Sequence, residues 1–186
     1  MSGNATYLAQ QTAGMGYLQQ ANNAMFTGQL QARGYFMEAS GYRASSTAVG
    51  QAAEFNQGVD NINLQRQLEN NNRQAQRVLG QQISQTAVSG ITGTSKSALA
   101  IRNETVDLFA RESLSMRLDF ENNRRSKAYE TAITQMNLEN KARAADYQGQ
   151  STQAITNIKV GAYQQQANAA FSIGRASLLN SMLNRR

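Results

Sequence analysis

Glu104, Asp107 and Glu112 form the nearest thing in the sequence to a carboxylate cluster. A pair of carboxyl groups at short range is the machinery of glycan hydrolysis. That chemistry needs an apolar pocket to keep one member protonated, and the residues around this cluster supply none. Acidic residues near the start of a helix complement its dipole, and the cluster is read that way. The chain has no His, Cys, Trp or Pro, so it lacks an imidazole base, a thiolate nucleophile and the usual zinc ligands. No catalytic residue, cofactor or metal site is assigned.

The second chemistry open to the chain is phosphate contact. Arg66, Arg73, Arg77, Arg102, Arg111, Arg117, Arg124, Arg125 and Lys127 recur at helical spacings, and the formal net charge is +6. Residues 1–60 are nearly neutral, whereas residues 61–186 hold 16 basic and 9 acidic groups. Arg111, Arg117, Arg124 and Arg125 are candidates for DNA-phosphate or inter-subunit contacts. Neighbouring acids favour a solvated or inter-chain face over a DNA face. No base-reading motif is present, so contact with DNA would be weak, non-specific and salt-sensitive.

The third is apolar contact at the chain ends. Tyr17, Phe26, Tyr35, Phe36, Phe171, Leu178, Leu179 and Met182 suit a lipid interface, where Tyr is favoured, and packing against sister subunits, the favoured reading, explains the same residues. Met1 to Gln11 carries no basic stretch leading into an apolar core, so it is not read as a secretory signal. No run reaches the eighteen or so apolar residues of a membrane-spanning helix.

The elements that must position these groups are helices. The chain holds 22 Gln and 18 Asn, so most polar side chains are uncharged, and the absence of Pro lets helices run unbroken. Gln51 to Val88 reads as one long helix. Its apolar residues fall in three groups, Phe55, Val59 and Ile62, then Leu64, Leu68, Ala75 and Leu79, then Ile83 and Ala87, which share no single face at about 100° per residue. Such a helix meets different neighbours along its length. Ser89 to Lys96 reads as a hairpin turn, with Gly90 ending one helix in the left-handed region and Thr94 or Ser95 capping the next.

A second helix is expected from about Ser97 to Tyr147, with Ile101, Leu108, Leu118 and Ile133 near one face and Tyr129 and Met136 beside it. Glu69 and Arg73, Asp107 and Arg111, Glu121 and Arg125, and Glu139 and Arg143 each place an acid four residues before an Arg, a helix-supporting orientation. The pattern loosens after Gly149, and a third helical stretch is expected from Ile155 to Leu183, followed by Arg185 and Arg186. The expected regions are a Gly/aromatic-rich helical segment at 1–50, a helical hairpin at 51–148 and a C-terminal helical segment at 149–186. Residues 163–174, YQQQANAAFSIG, match 17–28, YLQQANNAMFTG, at seven of twelve positions. A chain folded near residue 92 would bring the two copies side by side.

The block from Arg73 to Tyr129 contains Leu79-Gly80-Gln81, Ala87-Val88-Ser89-Gly90, Gly93-Thr94-Ser95 and a return run through Arg124, Arg125 and Tyr129. In that order these elements resemble the internal virion, or ejection, proteins of short-tailed bacteriophages. Lys96 stands where that family often has Pro or Ser. About a third of the chain carries the likeness, and the polar flanks share it only in composition.

The resemblance implies storage in the capsid near the portal, ejection with the genome, and reassembly in the host envelope as part of a conduit for DNA. It further implies contact with other ejection proteins, with portal and tail proteins and with the bacterial outer membrane, as expected of the small outer-membrane-associated member of the set. Composition and resemblance together lead to an all-α expectation. An elongated helical hairpin with additional terminal helices would assemble as a homo-oligomeric ring or tube, with the turn residues Ser89, Gly90, Gly93 and Ser95 at one pole. Two alternatives remain open, a portal- or tail-associated adaptor retained in the virion and a DNA-packaging protein of the head.

Overall fold

A computed structural model describes residues 2–90, 93 and 95–183. The described residues form two α-helices, α1 (Ser2–Val88) and α2 (Lys96–Leu183), joined by a turn. The chain is an all-α helical hairpin. The turn falls where Gly90 and Ser95 signal it. Gly90 has φ 71°, the left-handed conformation in which a side chain is costly. Ser95 accepts a hydrogen bond at its Oγ from the Ala98 amide, at 3.3 Å, and so caps α2. Ser89 continues α1 by donating its amide to the Gln85 carbonyl. Ile91, Thr92, Thr94, Arg185 and Arg186 lie outside the described residues.

Separate terminal helices are not found. α1 runs from Ser2 through the Gly-rich first fifty residues, and α2 runs through Gly149 to Leu183. The physical reason is that several of the glycines that look like breakers are contact points, Gly14, Gly28, Gly50 and Gly149 among them, while Gly16, Gly34 and Gly41 face open space. A Cβ on Gly149 would come 2.7 Å from the Phe36 ring, and one on Gly14 would collide with the Phe171 ring. Each supplies room for an aromatic side chain of the opposite helix, and that packing offsets the roughly 1 kcal/mol that Gly costs relative to Ala.

The helices pack as two units. Residues Met1–Ser45 with Leu138–Arg186 form the terminal unit, and Ser46–Asn137 forms the turn unit. The core of the terminal unit is made of small residues. Ala21, Ala32, Ala39, Ala142, Ala145, Ala167 and Ala170 are buried, and Ala39, Ala142 and Ala145 cluster with Tyr42 beside them. Among the described residues no large side chain is fully buried. Burying a methyl group yields little transfer energy, so this seam contributes close approach and dispersion contact rather than hydrophobic mass.

The repeat has a structural counterpart inside the terminal unit. Gly174 lies against Gln10, whose Cβ is 3.1 Å from where a glycine side chain would begin, and Gly28 lies against Thr156. Gly28 and Gly174 close the two copies of the repeat, and Gln10 and Thr156 each precede their own glycine by eighteen residues. The two contacts are therefore one contact seen twice, related by a local two-fold axis between antiparallel helices. The copies, expected side by side from the sequence, are staggered, each glycine lying against a residue outside the other copy.

Candidate functional site

In the turn unit the middle apolar group of α1 faces α2. Leu64, Leu68, Ala75 and Leu79 are half-buried, while Phe55, Ile62 and Ile83 are exposed. The shift of face read from the sequence is thus a change from solvent side to seam and back. Across the seam, Asn71 is buried and donates its side-chain amide to Ser113 Oγ at 2.9 Å and, more weakly, to the Phe109 carbonyl at 3.3 Å. Gln82 donates to Thr105 Oγ1 at 2.8 Å, and Lys127 bonds Asp60 at 2.6 Å. A groove beside Leu68, Asn71, Phe109 and Ser113 lies along this seam.

The stripe expected to make contacts on α2 points outward. Ile101, Leu108, Leu118, Tyr129 and Met136 are exposed, and Ile133 only slightly less so. The side chains that face α1 are instead Thr105, Phe109, Ser113, Met116 and Phe120. The expected stripe is real, but among the described residues nothing covers it. α1 repeats the arrangement in the terminal unit. Leu8, Met15, Phe26, Leu30 and Met37 are exposed and lie within about 60° of one another on a helical wheel, opposite Gly14, Ala21, Gly28, Ala32 and Ala39. In the terminal unit α1 therefore carries small residues inside and large apolar residues outside, whereas in the turn unit large apolar residues lie both on the seam and outside it.

The candidate residues divide accordingly. Phe26, Leu179 and Met182 are exposed and remain available to a partner. Tyr17, Tyr35, Phe36, Phe171 and Leu178 are half-buried within the terminal unit, and Phe36 and Phe171 are engaged by Gly149 and Gly14. Those two therefore pack between the helices of the terminal unit.

Arg111, Arg117, Arg124 and Arg125 are exposed. Arg124 and Arg125 share the Glu121 carboxylate, at 3.7 and 3.4 Å. Arg102 is not a free cation for phosphate. It donates to the Gly93 carbonyl at 3.2 Å and lies 3.5 Å from the Thr86 hydroxyl, so it clasps the turn. Of the four expected acid–Arg pairs, Glu69–Arg73 forms at 3.8 Å and Glu121–Arg125 at 3.4 Å. Asp107–Arg111 and Glu139–Arg143 do not close among the described residues.

Glu104, Asp107 and Glu112 are all exposed on α2, with no enclosing apolar wall. Among the described residues no cluster of acidic side chains has the makings of a metal site. Among the described residues no helix is long and apolar enough to cross a membrane.

Charge follows the units rather than the sequence thirds. The turn unit has ten basic and nine acidic residues, whereas the terminal unit has eight basic and three acidic. Within the terminal unit Arg43 pairs with Asp146. Tyr42 donates to Glu38 at 3.0 Å, and Lys141 sits 5.8 Å from the Tyr42 ring centre. That hydrogen bond, with the negative charge of Glu38, holds the Tyr42 phenol above its usual pKa. The cationic excess was not legible from the sequence, because it depends on which parts of the two helices pack together.

Compared with known proteins, the chain matches no family model, no curated protein and no solved structure.

Proposed function

We propose that this chain is a non-enzymatic structural subunit that works as an assembly of identical helical hairpins. Its role is that of an internal virion protein of a short-tailed phage, ejected to form part of a conduit carrying DNA across the host envelope. The observation that carries the assembly is the number of large apolar side chains left exposed on both helices, Phe26, Met37, Phe55, Leu108 and Tyr129 among them, while the buried apolar residues are alanines.

The surface area agrees. The chain exposes 13732 Å², against about 8,800 Å² for a compact monomer of its 20.3 kDa mass. An excess near 5,000 Å² is in the range that obligate interfaces remove from solvent. The phage role is supported by the ordered motifs around the turn, and a surface rich in Gln and Asn suits a passage through which DNA must slide without sticking.

Fractionation of host cells after infection tests the role, with an antibody against the chain as the probe. The expected outcome is recovery in the envelope fraction and loss from emptied particles. Retention in emptied particles would overturn it in favour of a portal- or tail-bound adaptor.

A further inference from the structure

The two helices of the turn unit meet along one side of each, which leaves the pair two broad faces and two outer edges. The faces differ. One is the groove of about 520 Å³ lined by Leu68, Ala75 and Leu79 of α1 and by Val106, Phe109 and Ala110 of α2. Ile83, Leu99 and Leu114 are exposed and lie within about 40° of that face on a helical wheel. On the other face α1 presents Gln67, Gln74, Gln81 and Gln85 and α2 presents Glu112 and Asp119, beside exposed Val88, Ile101 and Leu108. Glu69 and Arg117 flank the groove, and both are exposed. Among the described residues Arg117 has no ion-pair partner, and Glu69 has Arg73 alone, at 3.8 Å.

Bonds across the seam fix the heights of these groups. Asn71 donates to Ser113 on one side of Glu69 and Arg117, and Lys127 meets Asp60 on the other, which sets the two within about 3 Å of the same level. The bonds from Gln82 to Thr105 and from Asn71 to Ser113 set Leu79 level with Val106 and Ala75 level with Ala110. The basic residues Arg66, Arg73 and Arg77 of α1, and Glu104 and Arg111 of α2, turn about 85° or more away from this face. Asp107 and Arg125 stand about 55° from it. On the face itself Glu121 and Arg124 pair with each other, Lys96 lies beyond the end of α1, and Glu54 is about 20 Å along α1 from Glu69.

Resting on the assembly of copies proposed above, we infer that this groove is filled by the same face of a second copy, pointing the same way and related by a two-fold axis parallel to the helices. Rotation about that axis sets α1 of each copy over α2 of the other at equal height. Leu79 and Ala75 of each copy then meet Val106 and Ala110 of the other. Glu69 of each copy meets Arg117 of the other, so one contact supplies two ion pairs. Copies pointing opposite ways would set like helices together, and covering the groove with itself would then leave Arg117 against the apolar stretch near Leu99. The contact is isologous and closes on itself, giving a four-helix bundle built from two turn units.

The test uses the full chain and two single variants, Glu69→Arg and Arg117→Glu, with association read by sedimentation over a concentration series and helix content by circular dichroism. Each variant sets like charges against each other at both bridges and is expected to associate at least about ten-fold more weakly than wild type. A 1:1 mixture of the two should recover wild-type association, because each copy brings the charge that the other lacks. That recovery also demonstrates that both variants are folded. The double variant Glu69→Arg with Arg117→Glu should recover as well, but a bridge within one chain would recover in the double variant and not in the mixture. Spin labels on Gln51→Cys, in a chain with no other cysteine, read the orientation: copies pointing the same way hold the labels side by side, and reversed copies hold them about 75 Å apart. Single variants that associate as wild type does, a mixture no tighter than its components, or widely separated labels would overturn the face pairing while leaving assembly intact. A wild-type chain that stays monomeric at every concentration would overturn both.

Discussion

Thr156 stands against Gly28 so closely that a Cβ on residue 28 would coincide with its side chain. The helices of the terminal unit approach as near as they do because residue 28 ends at its backbone. Gly28→Ala gains helix propensity of about 1 kcal/mol but forces the seam apart, a clash of about 1–3 kcal/mol, and is expected to lower stability. Gly58, where an added Cβ meets nothing within 4 Å, gives the opposite sign, and Gly58→Ala should stabilise by up to about 1 kcal/mol. Urea unfolding of the two variants beside wild type measures both.

Asn71 is a buried amide in the turn unit whose donor is satisfied by Ser113 and Phe109. Asn71→Ala is expected to cost about 1–2 kcal/mol, since it removes hydrogen bonds and opens space beside Leu68. Ser113→Ala should cost less, because the Phe109 carbonyl remains as acceptor. Equal losses in thermal unfolding would contradict the geometry.

Gly90 and Gly93 both punctuate the turn, yet only Gly90 has positive φ. Gly90→Ala should destabilise by about 1–2 kcal/mol, whereas Gly93→Ala, whose Cβ would meet only the end of the Arg102 side chain at 3.4 Å, should be nearly neutral. Arg102→Ala frees the Gly93 carbonyl and is expected to speed proteolytic cutting at the turn. Limited proteolysis of the three variants gives the order.

Tyr42 should titrate above an ordinary phenol because Glu38 accepts its proton's hydrogen bond and carries negative charge. The folded chain thus holds this proton more tightly than the unfolded chain does. The associated stabilisation is fully present below the unfolded pKa of Tyr and is lost as pH rises through the folded one. Difference titration of tyrosinate absorbance against Tyr42→Phe checks the value, and Glu38→Gln is expected to lower it. An unchanged titration in Glu38→Gln would remove Glu38 as the cause.

The turn was legible because its signals are local. Gly90 and Ser95 act through backbone conformation and one capping bond, and the end of α1 at Val88 follows from them. Which face of each helix packs was not legible. Ile101, Leu108, Leu118 and Ile133 have the spacing of a core stripe, but Ala98, Phe109 and Ser113 take the seam and leave that stripe outside. Hydropathy cannot mark a seam of Ala21, Ala32, Ala142 and Ala167 in a chain where alanine occurs on every face. Gly149 read as a loosening for a related cause, since a glycine that ends a helix and one that admits Phe36 look the same until the opposite helix is in place.

The order of pairing along the hairpin bears on how the chain comes to be made. Arg102 reaches Thr86 across a separation of only sixteen residues, and such small loops close at little entropic cost. Gln10 must wait for Gly174, which is made 164 residues later. The part of α1 that carries Leu8, Met15 and Phe26 is thus made long before the part of α2 it packs against. During synthesis it stays open to capture by another nascent copy, and assembly and folding then compete for the same surface.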